Sequence, residues 1–581
     1  MNKMRPGKPG GKIGLKSIQK GTIKRLLGFL FKNYKGMLIL IVLGIFISAF
    51  TSALGGLFLN KIYSALEYYL KNELSYDAAI SSIISTLVAL GGIYLISTSS
   101  SLLFSIVGAT LTQRFLRDLR VQMFSKMQRL PIKYFDTHTH GDIMSTYTND
   151  IDALRQLVSQ SIPQLLSTIV TLIVLSFVMM YLSVLLFVAI IIGLIAIMWV
   201  TKKIGGNSAK YFMAQQEAVG KMEGYIEEMI NGQKVVKVFC HEEEAMKNFD
   251  EINGHLFEVS DKANAFSNML MPIIHNIGNI LYVLVAFIGG GIYIFSNGNG
   301  INISFESLFT SGSMISLLEL NIIVSFLGMA RRFANTTGQI SNQINSVVMA
   351  MAGASRVFEL LDQETETDDG YVTLVNAKIN EKGELYEVPE RTDIWAWRHP
   401  HAADGTVTYT RLAGDIRLFD VDFGYSDDHI VLHDISLYAE PGQKVAFVGA
   451  TGAGKTTITN LLNRFYDISD GKIRYDGINI NKIRKEDLRR SLGIVLQDTN
   501  LFTGTVMDNI RYGRLDATDE ECIAAAKLAN ADDFITRLPE GYNTMLTSDG
   551  ANLSQGQRQL ISIARAAVLD APVMIMDEAT S

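Results

Sequence analysis

Long, almost uncharged apolar stretches alternate with charged ones through the first 330 residues of this 581-residue chain. A helix of about 20 apolar residues crosses a bilayer. Each stretch is long enough for one such helix, and Gln156–Thr201 is long enough for two joined by a turn near Tyr181–Ser183. The stretches are Met37–Leu59, the segment between Asp77 and Arg114, Gln156–Thr201, Ala263–Phe305 and Glu306–Ala330. The pattern therefore predicts six membrane-spanning helices.

The basic residues between these stretches predict how the helices are oriented. Residues 1–36 hold ten Lys or Arg and no Asp or Glu. The basic residues of the expected outer loops are only Lys61 and Lys71, whereas the inner connections around residues 112–160 and 202–262 hold many. Positive residues stay on the cytosolic side, so we expect a multi-pass protein of the cell membrane with both termini in the cytosol. The inner connections are helical in pattern and should extend the membrane helices into the cytosol.

After Leu361 the composition becomes acidic and polar, which indicates a linker. Residues 371–415 then alternate in polarity and contain turn signals at Asn380–Gly383 and Ala403–Gly405, so we expect an inserted β-hairpin there. The predicted divisions are a basic cytosolic segment with an elbow helix (1–36), a six-helix membrane domain (37–361), a linker with an inserted β-rich segment (362–415) and a soluble α/β domain (416–581).

Composition restricts the class of protein. A hydrophobic content of 48% and a mean hydropathy of +0.20 exceed what a soluble protein of this size needs. The net charge of −6 leaves no electrostatic footprint for nucleic acid, so no nucleic-acid partner is expected. Cys240 and Cys522 lie far apart in segments expected in the cytosol, which argues against a disulfide and against a cysteine metal site.

The segment Gly449–Thr456 has the spacing G-x-x-x-x-G-K-[ST] and follows the apolar run Val445–Val448. This pattern is typical of a phosphate-binding loop that leaves a buried strand. Glycines let backbone N–H groups surround phosphates, the lysine adds a point charge, and the hydroxyl can bind Mg²⁺. The residues predicted to bind a nucleoside triphosphate are Gly449, Thr451, Gly452, Ala453, Gly454, Lys455, Thr456 and Thr457, with Thr456 also a predicted metal ligand.

A second apolar run, Pro572–Met576, ends in Asp577 and Glu578 and is expected to form another buried strand. Ligands of open parallel sheets collect at the carboxyl edge of the strands. Asp577 is therefore predicted to hold Mg²⁺ through water, and Glu578 to polarise the water that attacks the terminal phosphate. The same pattern also occurs as plain strand structure, and the phosphate loop ahead of it favours the catalytic interpretation.

Two segments carry a family resemblance. Leu553–Gln557, with Ile563–Ala566 after it, closely resembles the signature motif of ATP-binding cassette (ABC) proteins, and Asp577–Ser581 resembles their Walker B ending. Six membrane helices ahead of such a cassette look like an ABC exporter half-transporter, over about residues 18–370 and 411–581. The resemblance implies an all-α membrane domain, an α/β P-loop nucleotide-binding domain, ATP with Mg²⁺, and hydrolysis coupled to transport.

The resemblance also implies roles for single residues. Gln497 matches the glutamine that contacts Mg²⁺ and the attacking water, which makes it a catalytic and a metal-binding candidate. Tyr425 matches the aromatic residue that stacks on adenine. Ser554, Gly556 and Gln557 belong to the signature, which by resemblance binds the nucleotide of a second cassette. Activity would therefore require a dimer.

Two cytosolic segments are similar to the family's coupling segments, which would carry motion of the cassettes into the membrane. They are Leu130–Asp136, with Gly141–Ile143 after it, and Gly224–Phe239 in the second inner connection.

Some features depart from the family's usual pattern. Gln555 stands where glycine is commonest, and Ser548–Gly550 lacks a Glu-Arg pair, which together favour a heterodimer with a related, different half. Residues 371–415 have no counterpart in the usual linker. The sequence stops at Ser581, so the cassette lacks its usual C-terminal part with the Asp-bearing loop and the histidine switch; we expect the chain as written to bind ATP poorly and to hydrolyse it little.

These observations predict ATP-driven export of an amphipathic or hydrophobic solute, whether drug-, lipid- or peptide-like. The cavity residues are too apolar to suggest a hydrophilic solute, and Glu319 in the sixth span is the preferred cavity residue. A homodimeric lipid flippase is one alternative. An ATP-gated channel or a regulatory subunit without transport is another.

Overall fold

The computed structural model describes residues 21–70, 75–296, 300–311, 313–401, 404–426, 429–450, 452–497, 499–547 and 550–577. The chain divides into two compact units. We call Met1–Gln128 with His140–Gln363 the membrane unit, and Arg129–Thr139 with Glu364–Ser581 the nucleotide unit.

The α-helices and strands are numbered along the chain. The helices are α1 (Thr22–Leu70), α2 (Tyr76–Met127), α3 (Ile132–Thr137), α4 (His140–Ser145), α5 (Ile151–Gln156), α6 (Ile162–Leu182), α7 (Val184–Asn231), α8 (Gln233–Phe239), α9 (Glu242–Phe295), α10 (Phe305–Ser311), α11 (Leu320–Asp362), α12 (Lys455–Leu462), α13 (Lys485–Arg490), α14 (Val506–Arg511), α15 (Asp519–Leu528), α16 (Asp532–Ile535) and α17 (Gln555–Ala567). The strands are β1 (Ile301–Ile303), β2 (Ile315–Leu317), β3 (Thr373–Ile379), β4 (Leu385–Glu387), β5 (Trp395–Pro400), β6 (Val407–Arg411), β7 (Ile416–Phe423), β8 (Leu432–Ala439), β9 (Asp470–Tyr475), β10 (Ile478–Asn479), β11 (Leu492–Val495), β12 (Gly504–Thr505), β13 (Met545–Leu546) and β14 (Val573–Met576).

Five helical stretches in the described part of the chain are long and apolar enough to cross a membrane. They are Thr22–Leu70, Tyr76–Met127, His140–Leu182, Val184–Ile204 and Pro272–Phe295. By length and composition they confirm the first five predicted spans. The predicted turn is also confirmed, because Ser183 separates α6 from α7 and its hydroxyl accepts a hydrogen bond from the N–H of Leu186 at 3.3 Å.

The sixth predicted span, Glu306–Ala330, is not among these five stretches. The helix expected over Glu306–Ala330 begins only at Leu320, because the residues before it form α10 and the hairpin of β1 with β2. Glu319 is consequently the residue that precedes the helix, and its carboxylate accepts a hydrogen bond from the Asn321 side chain at 2.9 Å. This carboxylate already has a local partner, so its position does not support a role in a mid-membrane cavity.

The inner connections are helical, as predicted. α2, α7 and α9 run for 52, 48 and 54 residues, so each continues well beyond the length that a bilayer requires. α1 bends at Tyr34, whose φ of −133° is not helical and whose hydroxyl donates to Asp118 at 2.5 Å. The bend lies where the expected elbow helix gives way to the first span.

Small residues let the membrane helices approach one another. A side chain at Gly193 in α7 would collide with Leu281 of α9, and one at Gly278 would lie 2.9 Å from Ala334 of α11. Packing of this kind holds helices together in lipid, where the hydrophobic effect contributes little between them. A buried cluster that includes Leu186, Val285 and Phe326 lies in the same unit.

The nucleotide unit contains a four-stranded antiparallel sheet in the order β10-β9-β7-β8 and a parallel pair of β11 with β14. β7 turns Ile416, Leu418, Val421 and Phe423 into the core. Its alternation is interrupted at Asp420, where φ is +47° and the pairing register shifts. Such a bulge re-aims the later residues of the strand toward the core.

The inserted segment is larger than the predicted hairpin. Its strands form an antiparallel sheet in the order β4-β3-β5-β6. The turn at Asn380–Gly383 joins β3 to β4, and the connection that contains Asp404 and Gly405 joins β5 to β6, so both predicted turns are confirmed. The hairpin prediction was incomplete because β3 also pairs with β5, which joins two hairpins into one sheet.

Trp397 of β5 connects this sheet to the core of the nucleotide unit. Its side chain is 0% exposed, and its ring meets Tyr475 edge-on at a centroid distance of 5.4 Å. Its indole N–H donates to Asp476 at 3.0 Å, and the same carboxylate accepts from the N–H groups of Gly414 and Asp415 at 2.9 and 3.0 Å. Burial nevertheless raises the pKa of Asp476. The inserted sheet is therefore an integral part of this unit.

The apolar run Val445–Val448 is not a strand, which corrects the prediction of a buried strand before the phosphate loop. Residues 443–450 have no regular structure and are exposed, Val448 to 94%. The second predicted strand is confirmed as β14, although Met576 on it is exposed and only Ile575 is buried. Strands form by pairing, and among the described residues β14 pairs with β11 alone. Because residues 443–450 do not pair with β14, the run Val445–Val448 is not a strand and β14 stays partly exposed.

Replacing Trp397 by alanine should destabilise the nucleotide unit by about 3–5 kcal/mol, because a large buried ring leaves a cavity. The readout is the thermal unfolding midpoint of the detergent-solubilised chain. Trp395→Ala, on the same strand but only partly buried, is the matched control and should shift the midpoint less. Equal shifts for the two variants would contradict the anchoring role of Trp397.

Candidate nucleotide-binding site

The phosphate loop turns at two glycines and then enters a helix. Gly452 and Gly454 have φ of +86° and +88°, conformations that other residues rarely adopt. Helix α12 begins at Lys455, and the N–H of Ile458 donates to the carbonyl of Gly454 at 3.1 Å. The free N–H groups of the first helical turn and the positive end of the helix dipole therefore favour an anion at this loop.

The Lys455 ammonium lies over the loop that precedes it. It donates to the carbonyls of Gly449 at 2.9 Å and Ala450 at 3.1 Å. These acceptors are neutral, and a phosphate oxygen is a stronger acceptor for an ammonium group. The side chain of Thr456 is exposed beside it, whereas Thr457 is buried.

Ala453 is exposed in the loop, and its N–H donates to the carbonyl of Ala450 at 3.1 Å. The predictions for Thr451 and Glu578 fall outside the described residues.

Tyr425 lies against α12, the helix that begins at Lys455. Its hydroxyl donates to the Thr457 hydroxyl at 3.2 Å and accepts from the Asn460 side chain at 3.4 Å. Its ring contacts Phe423 and Tyr466 edge-on at 5.1 and 5.0 Å. The ring is still 40% exposed, so part of its surface remains open for stacking.

Gln497 and Asp577 lie at one edge of the parallel pair. Val495 of β11 is the partner of Met576 of β14, and the N–H of Asp577 donates to the carbonyl of Val495 at 3.0 Å. Gln497 follows β11 by two residues and Asp577 follows β14 directly. The structure thus brings an amide and a carboxylate to the carboxyl edge, where ligands of such sheets bind.

The signature residues form the start of α17. The Ser554 hydroxyl accepts from the N–H of Gln557 at 3.3 Å, and the Gln557 side chain accepts from the N–H of Ser554 at 2.9 Å. This capping box satisfies two backbone donors and leaves the exposed Gly556 in the first turn. In the described part of the chain, no hydrogen bond joins these three residues to the phosphate loop.

Known proteins match this chain over both units. Residues 38–319 match the ABC transporter transmembrane region, and residues 432–581 match the ABC transporter domain. The chain is similar to the ABC transporter ATP-binding protein YfiC of Bacillus subtilis (strain 168), at 36% identity over 97% of this chain and 83% of that protein. This chain belongs to the ABC transporter family.

Two further relatives have more specific names. One is a fatty acid ABC transporter ATP-binding/permease protein of Mycobacterium tuberculosis, 33% identical over 81% of this chain and 66% of that protein. The other is an ATP-dependent lipid A-core flippase of Syntrophus aciditrophicus, 31% identical over 84% of this chain and 72% of that protein. A membrane region fused to an ATP-binding domain makes this ABC transporter an exporter half-transporter that couples ATP hydrolysis to transport.

In this ABC transporter, the predicted first coupling segment groups with the nucleotide unit. Arg129–Thr139 groups with that unit, although it lies between two membrane helices in the sequence. The hydroxyl of Tyr466 donates to the Asp136 carboxylate, and the carbonyl of Arg129 accepts from the N–H of Glu366 at 2.8 Å. Burial, and then this hydrogen bond, raise the pKa of the Tyr466 phenol.

Sequence analysis missed Tyr466. Its partner Asp136 is 330 residues away, and no local pattern indicates the contact. The only local signal is its position shortly after α12, the helix that leaves the phosphate loop. Because Tyr466 also meets the ring of Tyr425, contacts run from the predicted adenine platform to the coupling segment.

The membrane unit holds a polar cavity, which corrects the expectation of apolar cavity residues. It has a volume of about 480 Å³ and lies between α6 and α11. Its lining includes Gln164, Thr171, Arg331, Arg332, Asn335 and Gln339. The predicted cavity residue Glu319 does not line it.

Replacing Tyr466 by phenylalanine should uncouple hydrolysis from transport. The ring contacts are kept, so ATP hydrolysis should stay within about twofold, but a hydrogen bond to a charged group, about 1.5–3 kcal/mol, is lost. We expect ATP-driven transport in lipid vesicles to fall on the order of tenfold.

The control for this variant is Tyr542→Phe, which removes a comparable hydrogen bond to Asp532, 2.7 Å long, elsewhere in the nucleotide unit. It should leave the ratio of transport to hydrolysis unchanged. If both variants changed that ratio equally, the role of the Tyr466–Asp136 contact in coupling would be wrong.

Proposed function

We propose that this chain is one half of a dimeric exporter that uses ATP to move an amphipathic or hydrophobic solute across the membrane. The observation that carries the proposal is the place of residues 129–139. A segment that connects two membrane helices is built into the unit that contains the phosphate loop. A movement of the nucleotide unit would therefore be transmitted through the covalent chain to the ends of α2 and α4.

The names of the relatives support a lipid-like solute. The mycobacterial relative is named for fatty acids, and the Syntrophus relative for lipid A-core. Both names denote lipids, so they favour an amphiphile over a peptide. Transfer of this substrate class to our chain is part of the proposal.

We assign ATP to the phosphate loop and Tyr425. The triphosphate would accept hydrogen bonds from the N–H groups of Gly449–Thr456, with the ammonium of Lys455 exchanging its carbonyl partners for phosphate oxygens. The exposed part of the Tyr425 ring would stack on the base. Aromatic stacking does not choose between bases, so the preference for ATP rests on the family.

We assign Mg²⁺ to the oxygen atoms of Thr456, Gln497 and Asp577. Hydroxyl, carboxamide and carboxylate oxygens are the hard ligands that Mg²⁺ accepts alongside phosphate. Two of the three residues lie at one sheet edge in the structure. Glu578, the next residue in the chain, would orient the attacking water.

The second half completes the site in this proposal. The first turn of α17, with Ser554 and Gly556, can hold an anion, but it has no hydrogen bond to its own phosphate loop among the described residues. The nucleotide of a partner cassette fits this role, with Gln557 holding the turn in shape. Gln555 favours a partner chain of different sequence.

We place the protein in the cell membrane with both termini in the cytosol. The ten basic residues before Met37 support this orientation.

A homodimeric lipid flippase is the second candidate, favoured by the name of the Syntrophus relative. Copurification from native membranes followed by mass spectrometry separates the two. A second, different half in equal amount supports the heterodimer, and only this chain supports the homodimer.

Replacing Lys455 by alanine should lower ATP hydrolysis at this site by about 10²–10³-fold, since one positioned charge is lost where phosphate charge develops. Nucleotide binding to this chain and export of a fluorescent fatty acid by the assembled transporter in vesicles should fall with it.

Lys444→Ala is the matched control, because Lys444 is exposed and lies ahead of the loop. Its ATP hydrolysis, nucleotide binding and export should equal those of the unaltered protein. Undiminished ATP-dependent export by the Lys455→Ala variant would overturn the proposed function.

A further inference from the structure

The polar cavity of the membrane unit carries positive charge without a balancing acid. Residues 162–201 contain no charged residue, and α11 has only Arg331 and Arg332 between Leu320 and Ser355. In the described part of the chain, no carboxylate lines the cavity. Arg331 and Arg332 are therefore the charged residues of the cavity lining in the described part of the chain.

A structural role accounts for Arg332. Its guanidinium donates to the carbonyl of Ser52 at 2.7 Å and also to the Ser52 hydroxyl. These bonds join α11 to α1 and use two of the five N–H donors of this guanidinium.

Arg331 has no comparable partner. Its side chain is exposed and lines the cavity, and the described residues provide it with no hydrogen bond or ion pair. Glu319 is the nearest acidic residue before Arg331 in the sequence. It lies 12 residues earlier, which is about 18 Å along a helix. That carboxylate is bound by Asn321.

The other lining residues supply neutral donors around Arg331. Asn335 is one helical turn later and therefore on the same face. A hydrogen bond of 3.1 Å between Gln164 and Gln339 spans α6 and α11 at one end of the cavity, and Thr171 adds a hydroxyl. An arginine fork among amide and hydroxyl donors suits carboxylate or phosphate oxygens. The volume of about 480 Å³ is in the range of small-ligand sites.

The polar lining of the cavity occupies only a short length of α6 and α11. Further along them, Val174 and Leu175 of α6 and Phe326 of α11 are buried in an apolar cluster. The polar lining of α6 runs from Gln164 to Thr171, which is about 10 Å of helix. This length fits a charged head group rather than a whole lipid.

We propose that this cavity binds the anionic head group, a carboxylate or a phosphate, of the transported amphiphile, with Arg331 as its anchor. This inference rests on the proposed function, because it names the substrate class of that exporter. A small soluble anion would present the same chemistry, and the test below separates the two sources.

The test uses the full chain, assembled with its second half, in nanodiscs of zwitterionic lipid at pH 8. Oleate, oleyl alcohol and acetate compete against a fluorescent fatty acid. We expect oleate to bind about tenfold more tightly than oleyl alcohol, as for one ion pair worth about 1.4 kcal/mol. Acetate should not compete at millimolar concentration.

Variants then identify the anchor. In Arg331→Gln, oleate and oleyl alcohol should bind with about equal affinity. Arg331→Lys should keep most of the preference for oleate, because the charge remains. Arg120→Gln, which removes an exposed arginine of α2 outside the cavity lining, is the matched control and should leave the preference unchanged. Unaltered ATP binding by each variant shows that the chain is folded.

Equal affinity for oleate and oleyl alcohol, or an unchanged preference in Arg331→Gln, would overturn the inference. Competition by acetate as strong as that by oleate would assign the cavity to a free anion and overturn it as well. ATP-driven transport without head-group preference would refute only the cavity proposal. Arg331-dependent oleate binding without any ATP-driven transport would instead refute the proposed function.

Discussion

The hydrogen bond from the Tyr466 hydroxyl to the Asp136 carboxylate is the contact on which the proposed coupling depends. It fastens residues 129–139, which the chain order places between membrane helices, to the unit that contains the phosphate loop. The covalent ends of the segment lead directly into α2 and α4.

The other functional features are arranged around this contact. The ring of Tyr466 contacts the ring of Tyr425, whose hydroxyl donates a hydrogen bond to Thr457 of α12. Helix α12 begins at Lys455, which we propose binds phosphate. The path from the loop to Asp136 is therefore made of a helix, two aromatic rings and one charged hydrogen bond. In our proposal, the polar cavity of the membrane unit recognises the transported molecule.

Features that depend on local sequence could be predicted, and features that depend on distant pairing could not. The predicted turns between β3 and β4 and between β5 and β6 each lie within a few residues, so their patterns led to the observed structure. The run Val445–Val448 has the composition of a strand but no paired neighbour, so composition alone was misleading. The 330-residue separation of Tyr466 from Asp136 has no local signature at all.

The sixth helix shows the same limit within the membrane unit. Apolar residues before Leu320 are used in α10 and in the hairpin of β1 with β2, and hydropathy does not distinguish these from a membrane helix. Because the helix begins at Leu320, Glu319 lies before it and Arg331 lies within it. Arg331 is evident in the sequence, but its place in a polar cavity depends on the packing of α6 against α11.

The most direct test of coupling is a distance between the two halves of the assembled transporter in a bilayer. One spin label would replace Gln113, an exposed residue of α2, and the other would sit on the second half. The account predicts that ATP shifts the distance distribution and that Tyr466→Phe removes most of this shift while ATP still binds. An identical distribution with and without ATP in the unaltered protein would contradict it.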